Sequence, residues 1–313
     1  MTLTAAQRER LQQLTRDAAR FDEPMQRHIT MQVGGVADAW VQPQGLDELQ
    51  AVLHFARESD VACMIVGRGS NLLVRDGGIR GVVIHLGHFD RLAIEPSNEV
   101  PADPDYVVLV AEAGVKLKRL LGLCAEEGFS GLEGLEGVPG TVGGAVVMNA
   151  GTPAGVIGDA VIDVCYLDRQ AQQITRTAAQ LAFAYRSTKI PKTAIVIHTR
   201  LRVTRVEPVA VRERLQQLRQ QRMACQPGRQ PCVGSVFRNP PKGSAWMLVD
   251  EAGLRGVRIG GARISEQHAN WIVNEGNATA RDVETLIRLV REKVKEKCGV
   301  LLDPEVMIVG EEP

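Results

Sequence analysis

The stretch Gly67-Arg68-Gly69-Ser70-Asn71-Leu72-Leu73-Val74 decides between two nucleotide-binding folds. It begins as a dinucleotide-binding fingerprint does, but Leu72 stands where the third glycine is required. A Rossmann loop also opens a helix, whereas a turn at residues 76–78 follows too soon for one. The apolar residues on either side of the loop are typical of strands. We therefore predict a glycine loop between two strands, which disfavours a Rossmann dehydrogenase.

A second glycine-rich segment, residues 137–145, reads Gly-Val-Pro-Gly-Thr-Val-Gly-Gly-Ala. It belongs to a region from residue 128 to 143 in which every third residue is glycine, and we interpret this spacing as successive tight turns. Backbone without side chains lets successive N–H groups converge on a phosphate. Turns that merely pack remain an alternative for both segments. If both bind, they predict a long ligand with a pyrophosphate in its middle.

Composition sets limits on the partners of the chain. Its 313 residues fit two or three compact domains, and 44% hydrophobic with 24% charged residues is ordinary for a globular protein. The formal net charge is zero, so no global field recruits nucleic acid or an anionic membrane. We expect a small-molecule partner held by local loops, and nothing in the sequence implies an obligate protein partner.

The six cysteines form no C-x-x-C pair, and we interpret them as buried small hydrophobes in a reducing compartment. His85 and His88 have metal-like spacing but no third ligand nearby, so no metal site is predicted. The N-terminus is polar, and no apolar run approaches the length that spans a bilayer. We expect a cytoplasmic protein.

Hydrophobic periodicity predicts the main elements. Helices are expected at residues 5–20, 46–56, 115–127, 209–223 and 279–299, and the last has Thr279 as its N-cap and Gly299 as its end. Residues 300–306 are expected to form a strand that carries one carboxylate into the interior or a cleft. Residues 95–105, which include three prolines, are expected to form a connector.

Six motifs occur in one order along the chain and together resemble one family. The motifs are GRGSNLLV (67–74) with Asp-Gly-Gly behind it, GVPGTVGGAVVMNAG (137–151), AYRST (184–188), GSVFRNP (234–240), ISEQHANWIVN (264–274) and LLDPEVMIVG (301–310). The family that they resemble is that of the UDP-N-acetylenolpyruvoylglucosamine reductases, and the resemblance runs from about His28 to Gly310.

The resemblance implies an α+β fold in which a two-lobed FAD-binding domain of the vanillyl-alcohol-oxidase type precedes a smaller α+β substrate-binding domain. The implied divisions are a leading helix at 1–21, a flavin domain at 22–205 with lobes at about 22–92 and 106–205, and a substrate domain at 206–313. No tyrosine is placed to serve as the inserted lid of some members, so the chain resembles the second subtype, which lacks that loop.

The resemblance also implies non-covalent FAD, with NADPH as the reductant. The implied cofactor-binding residues lie in the two glycine segments and just after the second: Gly67, Arg68, Gly69, Ser70, Asn71, Leu72, Pro139, Gly140, Thr141, Gly143, Gly144 and Asn149. The reaction that the resemblance implies is reduction of a sugar nucleotide, UDP-N-acetylenolpyruvoylglucosamine, to UDP-N-acetylmuramate in peptidoglycan precursor synthesis.

That chemistry needs a fixed cation and an acid, because negative charge builds on the α carbon and on the substrate carboxylate. The resemblance makes Arg186 the cation, and a guanidinium matches a carboxylate with paired donors. It makes Ser235 the proton donor and Glu305 the third catalytic residue. From spacing alone, these residues would read as a surface arginine, a turn serine and a strand-end glutamate.

Asn239 and His268 resemble substrate contacts, although either is also compatible with a structural cap. Two other functions stay open at this point. One is a different FAD-binding oxidoreductase with the same type of flavin domain, and the other is a nucleotide-binding protein without this turnover. The presence of Arg186, Ser235 and Glu305 together argues against a protein that has lost activity.

Overall fold

The computed structural model describes residues 2–95, 106–228 and 230–313, so most of the expected connector at 95–105 lies outside the described residues. The first helix, α1, covers Ala5–Leu14 and begins with a capping box at Thr4. It is shorter than the predicted 5–20, because Arg16 and Asp17 adopt positive φ angles of 50° and 63° that an α-helix does not permit. Strand β1 follows at Arg20–Pro24.

The first lobe is built on a four-stranded sheet in the order β1-β2-β5-β3. Strand β1 is antiparallel to β2, whereas β2, β5 and β3 run parallel. The predicted helix at 46–56 is confirmed as α2, which buries the face formed by Leu49, Val52, Phe55 and Ala56. The bounds are β2 Val36–Val41, α2 Leu46–Glu58, β3 Cys63–Ile65, β4 Leu72–Val74 and β5 Ile79–Ile84.

The glycine loop at 67–71 joins β3 to β4, and no helix follows it. The prediction of a loop between two strands is therefore confirmed. Gly69 and Gly78 have φ angles of +60° and +84°, and a Cβ atom at Gly78 would lie 2.0 Å from the backbone oxygen of Val36. Glycine is required at these turns because any side chain would collide with the neighbouring backbone.

The second lobe is an antiparallel sheet in the order β12-β11-β13-β7-β6, with β8 paired to the end of β13. Helix α3 ends at Gly128 in the left-handed conformation, as predicted. The strands are β6 Leu92–Ile94, β7 Tyr106–Glu112, β8 Phe129–Ser130, β11 Val161–Leu167, β12 Gln173–Thr177 and β13 Ile195–Arg205, and a small hairpin pairs β9 Gly151–Thr152 with β10 Gly155–Val156. The helices are α3 Leu117–Glu127, α4 Val142–Met148 and α5 Ala178–Leu181.

Helix α4 corrects the interpretation of the glycine-dense region as a series of turns. The segment Val142–Met148 is helical although it contains Gly143 and Gly144, which disfavour helix. Val142, Ala145 and Val146 are buried in the core. Tertiary packing of these side chains outweighs the poor local propensity.

The C-terminal third begins with α6 at Pro208–Cys225, which confirms the predicted helix at 209–223. An antiparallel sheet in the order β14-β17-β16-β15 follows, together with α7 and α8. Helix α8 starts after a capping box at Thr279 and ends at Gly299, as predicted. The bounds are β14 Cys232–Ser235, α7 Ala245–Glu251, β15 Arg258–Ile259, β16 Ala262–Ile264, β17 Trp271–Asn274 and α8 Ala280–Cys298.

The final strand, β18, covers Met307–Val309 rather than the predicted 300–306. It pairs in parallel with β4 of the first lobe. Residues before it make only an isolated bridge between Pro304 and Phe237. Proline has no N–H for a ladder, so regular pairing starts only after it.

Two hydrophobic cores meet at the sheet of the first lobe. Along β5, Val82 and Ile84 pack into the core shared with the second lobe, whereas Val83 packs into the core shared with the C-terminal third. Helix α6 contributes Val211 and Leu215 to the core shared with the second lobe. The sheet is therefore covered on both faces, and the C-terminal third packs directly against the first lobe.

Cysteine burial follows the prediction only in part. Cys124 and Cys165 are buried, and burial raises the pKa of the Cys124 thiol to about 12. Cys63 and Cys225 are exposed, so the interpretation of all six as buried hydrophobes is wrong. Among the helices that the structure describes, none combines the length and the apolar character needed to traverse a bilayer.

Candidate active site

The two glycine segments touch each other. A Cβ atom at Gly67 would lie 2.8 Å from Oγ1 of Thr141, so the first loop passes closely over the second. Ser70 Oγ donates a hydrogen bond of 3.0 Å to the backbone oxygen of Pro139. The sequence placed these segments seventy residues apart, and the fold joins them into one surface.

Open space over this surface is unevenly distributed. A Cβ atom at Gly140 or Gly144 would meet only a hydroxyl oxygen, at 3.5 Å or 3.8 Å, so there is open space next to both glycines. Gly143 is different, because its Cβ would lie 2.8 Å from Ala113 and its N–H already donates to the Ala113 oxygen. The cradle formed by Gly140 and Gly144 suits close approach of a pyrophosphate, whereas Gly143 serves packing.

A cleft of about 670 Å³ opens between the glycine segments and the C-terminal third. This volume lies in the range of cofactor sites. Gly67, Arg68 and Pro139 form one wall, and Gly234 and Trp271 belong to the opposite wall. The Trp271 indole Nε1 is buried without a partner in the described protein, which leaves a donor available to a bound group. The cleft fits FAD in size and in donor chemistry.

Four arginines line the same cleft, namely Arg27, Arg68, Arg219 and Arg222. Arg219 Nε is 2.7 Å from Glu136, and Arg222 donates to the Gly137 oxygen at 3.3 Å. Burial lowers the pKa of the Arg222 guanidinium from its ordinary value. The sequence predicted a helix at residues 209–223 but not which of its faces is directed at the cleft. The cleft carries positive charge suited to phosphates.

The predicted catalytic residues Arg186 and Glu305 form an ion pair. Arg186 Nε lies 2.6 Å from Glu305 Oε1, and their side chains are only 19% and 12% exposed. The other two guanidinium nitrogens donate to the backbone oxygens of Asn149 and Gly151, at 3.5 Å and 3.1 Å. Of five guanidinium N–H groups, these three bonds leave two for another acceptor. The pairing itself was not predicted from the sequence.

Glu305 is held between two parts of the chain. Its backbone N–H donates to the Val236 oxygen at 2.7 Å, and its backbone oxygen accepts from Asn71 Nδ2 at 3.1 Å. Burial raises the pKa of the Glu305 carboxyl, and the nearby Arg186 charge only partly opposes this. Glu305 therefore keeps its proton to a higher pH than an ordinary glutamate does, which favours a role in proton transfer.

Ser235 ends strand β14 and pairs with Trp271, one residue before the Val236 oxygen that binds Glu305. The fold therefore brings Ser235 and Glu305 into adjacent backbone segments. Ser235 is half-buried, and its hydroxyl makes no hydrogen bond to any residue the structure describes. A hydroxyl in this position is free to interact with a bound substrate.

Asn149 lies at the left-handed end of α4, with a φ angle of 44°, and is buried. Its Nδ2 donates to the Ala184 oxygen at 2.9 Å, and its Oδ1 accepts from the Gly158 N–H at 3.0 Å. Both ends of the side chain are thus satisfied within the protein. The expected contact of Asn149 with the cofactor stays a prediction.

Asn239 and His268 both have structural partners. Asn239 Oδ1 accepts from the Ala245 N–H at the start of α7, and its own N–H donates to the Tyr185 hydroxyl at 3.3 Å. His268 lies between Trp246 and Trp271, and burial lowers the pKa of its imidazole. Contacts with substrate stay predictions for both residues. Tyr185, which is 54% exposed beside Arg186, was not singled out from the sequence.

No cluster of three or more histidine, cysteine, aspartate or glutamate side chains arranged to hold a metal occurs within residues 2–95, 106–228 and 230–313.

Comparisons with known proteins agree with this geometry. Residues 37–175 match the family described as FAD binding domain, and residues 226–309 match the UDP-N-acetylenolpyruvoylglucosamine reductase C-terminal domain. The reductase of Moorella thermoacetica is 40% identical over 290 residues, which is 93% of each chain. That of Nitrosococcus oceani is 42% identical over 287 residues, covering 92% of this chain and 93% of its own length.

Solved structures show the same relationship. The crystal structure of UDP-N-acetylenolpyruvylglucosamine reductase from Thermus caldophilus superimposes with a TM-score of 0.77 at 33% identity, over 94% of this chain and 98% of that one. A VAO-type flavoprotein from Myceliophthora thermophila, at 13% identity and a TM-score of 0.52 over 96% of this chain and 63% of its own, shares the fold alone. The predicted fold class is confirmed, and the chain belongs to the UDP-N-acetylenolpyruvoylglucosamine reductase family.

Proposed function

We propose that this protein is the FAD-dependent oxidoreductase that reduces UDP-N-acetylenolpyruvoylglucosamine to UDP-N-acetylmuramate with NADPH, in peptidoglycan precursor synthesis. The observation that carries the proposal is the buried Arg186–Glu305 pair, held against the Ser235 strand and beside the glycine surface. Family membership supports the same reaction. Bound FAD would supply the two-electron reduction of the substrate double bond.

The glycine segments are the proposed cofactor cradle. Gly67–Leu72 and Pro139–Gly144 would hold the pyrophosphate, with the open faces of Gly140 and Gly144 as the points of closest approach. Non-covalent attachment is proposed because neither glycine segment contains a histidine or cysteine. Arg68 adds positive charge to the wall of the cleft.

Arg186 would hold the substrate carboxylate through the two N–H groups that its protein partners leave available. Charge that accumulates on this carboxylate during reduction is stabilised by a cation that is already fixed, so little reorganisation is needed. The three hydrogen bonds that Arg186 makes within the protein keep the guanidinium plane in one orientation. Binding and charge stabilisation thus come from the same group.

Ser235 would donate its hydroxyl proton to the α carbon, and Glu305 would assist this protonation. A serine hydroxyl is a weak acid, but an enolate-like carbon is a strong base, so the transfer is favourable when the hydroxyl is held over that atom. Asn239 and His268 are proposed to contact the rest of the sugar nucleotide.

The proposed domain division is a leading helix at 1–21, a flavin domain at 22–205 and a substrate domain at 206–313. We also propose that the enzyme works in the cytoplasm, where sugar nucleotides and NADPH are made, and that it needs no obligate protein partner. The last point is supported by the origin of all three proposed catalytic residues in one chain.

An anaerobic experiment tests this function. Purified protein should be yellow, should release its flavin on acid precipitation, and should be bleached by NADPH. Addition of the enolpyruvyl sugar nucleotide should restore the colour without oxygen. Bleaching that this substrate does not reverse would instead indicate another FAD oxidoreductase, and protein without flavin absorbance would indicate a binding protein.

A further inference from the structure

Two asparagines, Asn71 at the end of the 67–71 loop and Asn149 just after the second glycine segment, make contacts that lead away from the cleft and toward the ion pair. Asn71 closes the first segment, and its side chain donates to the backbone oxygen of Glu305 at 3.1 Å. Its own backbone oxygen accepts from the Met307 N–H at 2.9 Å. Together with the Val236 contact to the Glu305 N–H, these bonds fix the Glu305 backbone from both sides.

Asn149 makes the corresponding contacts toward Arg186. The Asn149 side chain binds Ala184 at 2.9 Å, and its backbone oxygen accepts from Arg186 Nη1 at 3.5 Å. Ala184 and Ser187 exchange two backbone hydrogen bonds and close the tight turn that carries Arg186. The side chain of Asn149 therefore anchors the start of this turn to the end of α4.

Arg186 needs such an anchor because its backbone is strained. Its φ angle is 52°, in the left-handed region that is unfavourable for a residue other than glycine. A turn of this kind persists only when its surroundings hold it. The other contacts of the guanidinium point at Glu305 and Gly151, so release of the turn would also move the ion pair.

We propose that Asn71 and Asn149 are positioning residues, each of which joins one glycine segment to one member of the Arg186–Glu305 pair. The glycine backbone meets the cofactor, while the asparagine at the end of each segment sets Glu305 or Arg186 in register with it. Assembly of the pair is thereby tied to the same two segments that form the cradle. The expected fall in kcat rests on the proposed function, whereas the expected coupling between Asn149 and the ion pair in the folded protein does not.

The kinetic test compares Asn71→Ala and Asn149→Gly in the FAD-loaded enzyme. Glycine at 149 keeps the left-handed backbone and removes only the side chain. We expect kcat to fall roughly 10- to 100-fold in each, as displacement of a catalytic group does. The Kd for FAD, measured by fluorescence titration of the apoprotein, should stay within about threefold of the parent, because both asparagine side chains are bonded to the protein and the glycine backbone of the segments is kept.

Asn274→Ala is the matched control. Asn274 is also buried, and its side chain also joins separate segments through the Met31 oxygen and the N–H groups of Gly276 and Ala278. It has no contact with the ion pair, so kcat should remain within about threefold of the parent. An equal loss of kcat in the control would mean that the effect is general loosening of the fold, and the proposal would be overturned.

A second measurement needs no activity. In the apoprotein, Asn149→Gly and Glu305→Gln are combined in a double-mutant cycle on the equilibrium constant of unfolding. If Asn149 acts through the ion pair, the combined effect should depart from the product of the single effects by at least about threefold. A multiplicative cycle would overturn the role of Asn149.

The outcomes are separable. A weakened Kd for FAD, with parental kcat at saturating FAD, would make the asparagines cofactor ligands and would overturn the proposal. If the parental enzyme is bleached by NADPH but not reoxidised by the sugar nucleotide, the proposed function fails, and the unfolding cycle still decides the positioning role of Asn149.

Discussion

Substitution of Arg186 by lysine separates the charge of this residue from its geometry. The guanidinium donates to Glu305, Asn149 and Gly151 through three different nitrogens in one plane. The single ammonium nitrogen of lysine cannot reproduce this planar set of donors. Lysine therefore loses the paired contact with the substrate carboxylate, which consists of two charge-assisted hydrogen bonds that each contribute about 1.5–3 kcal/mol. Because the side chain is 19% exposed, water replaces part of this loss. We expect the activation free energy of flavin reoxidation by the substrate to rise by about 3 kcal/mol, which slows this step roughly 10²-fold.

The slowing should fall on one half-reaction. Reduction of the bound flavin by NADPH involves no substrate carboxylate, so Arg186→Lys should leave it close to parental, while reoxidation by the sugar nucleotide is slowed. Rapid-mixing absorbance without oxygen measures each half separately. Arg200→Lys is the control, since Arg200 is also an ion-paired arginine, bound to Glu95 and Asp163, and has no proposed catalytic role. Equal slowing of both halves by Arg186→Lys would refute the reasoning.

Ser235→Ala should bind FAD and accept electrons from NADPH normally, but its rate of reoxidation by substrate should fall roughly 10²–10⁴-fold. Ser235→Cys should retain more activity than the alanine variant. Reoxidation of Ser235→Ala at the parental rate would exclude Ser235 as the proton donor. Gly143→Ala should lower the free energy of unfolding in urea by about 1–3 kcal/mol, because its Cβ would lie 2.8 Å from Ala113, whereas Gly144→Ala should leave stability intact and weaken FAD binding in an apoprotein titration. Parental FAD affinity in Gly144→Ala would show that this glycine does not face the cofactor. Glu305 has a pKa raised above its ordinary 4.5 by burial, so its contribution to stability is complete below that value and is lost as pH rises through the raised pKa. The stability of the parent relative to Glu305→Gln, measured in urea between about pH 4 and 8, should therefore fall as pH rises, and a relative gain would contradict the assignment.

Elements with strong local signals were predictable from the sequence. Helix α8 has a capping box at Thr279, a buried stripe at helical spacing and Gly299 at its end, and all three features act within a few residues. The glycine loop between β3 and β4 was predictable because Leu72 and the early turn exclude a Rossmann helix.

Other elements depend on distant contacts and were not predictable. Helix α4 forms because Val142 and Val146 are buried, in spite of two glycines that favour turns. Strand β18 forms because β4 is available to pair with it. Parallel pairing across so much intervening chain leaves no local pattern at Met307.

The candidate site shows the same division. Arg186, Ser235 and Glu305 could be named from motifs, but no pattern in the sequence predicts that Arg186 and Glu305 form an ion pair across 119 residues. The capping role of Asn239 was one of the alternatives open from the sequence, and its hydrogen bond to Ala245 gives it that role. The basic face of α6 toward the cleft depends on how the helix is rotated, which helical periodicity of a mostly polar segment does not fix.

The parallel pairing of β18 with β4 has a consequence for synthesis on the ribosome. Asn71 and Glu305 are 234 residues apart, yet one binds the backbone of the other. At about 5–20 residues per second, roughly 10 to 50 seconds pass between translation of the two. Throughout that time β4 lacks its pairing partner, and the apolar side of the first lobe that meets the C-terminal third is uncovered. A nascent chain of this protein therefore presents a strand edge and an apolar surface, both of which can associate with other chains, until β18 has been synthesised.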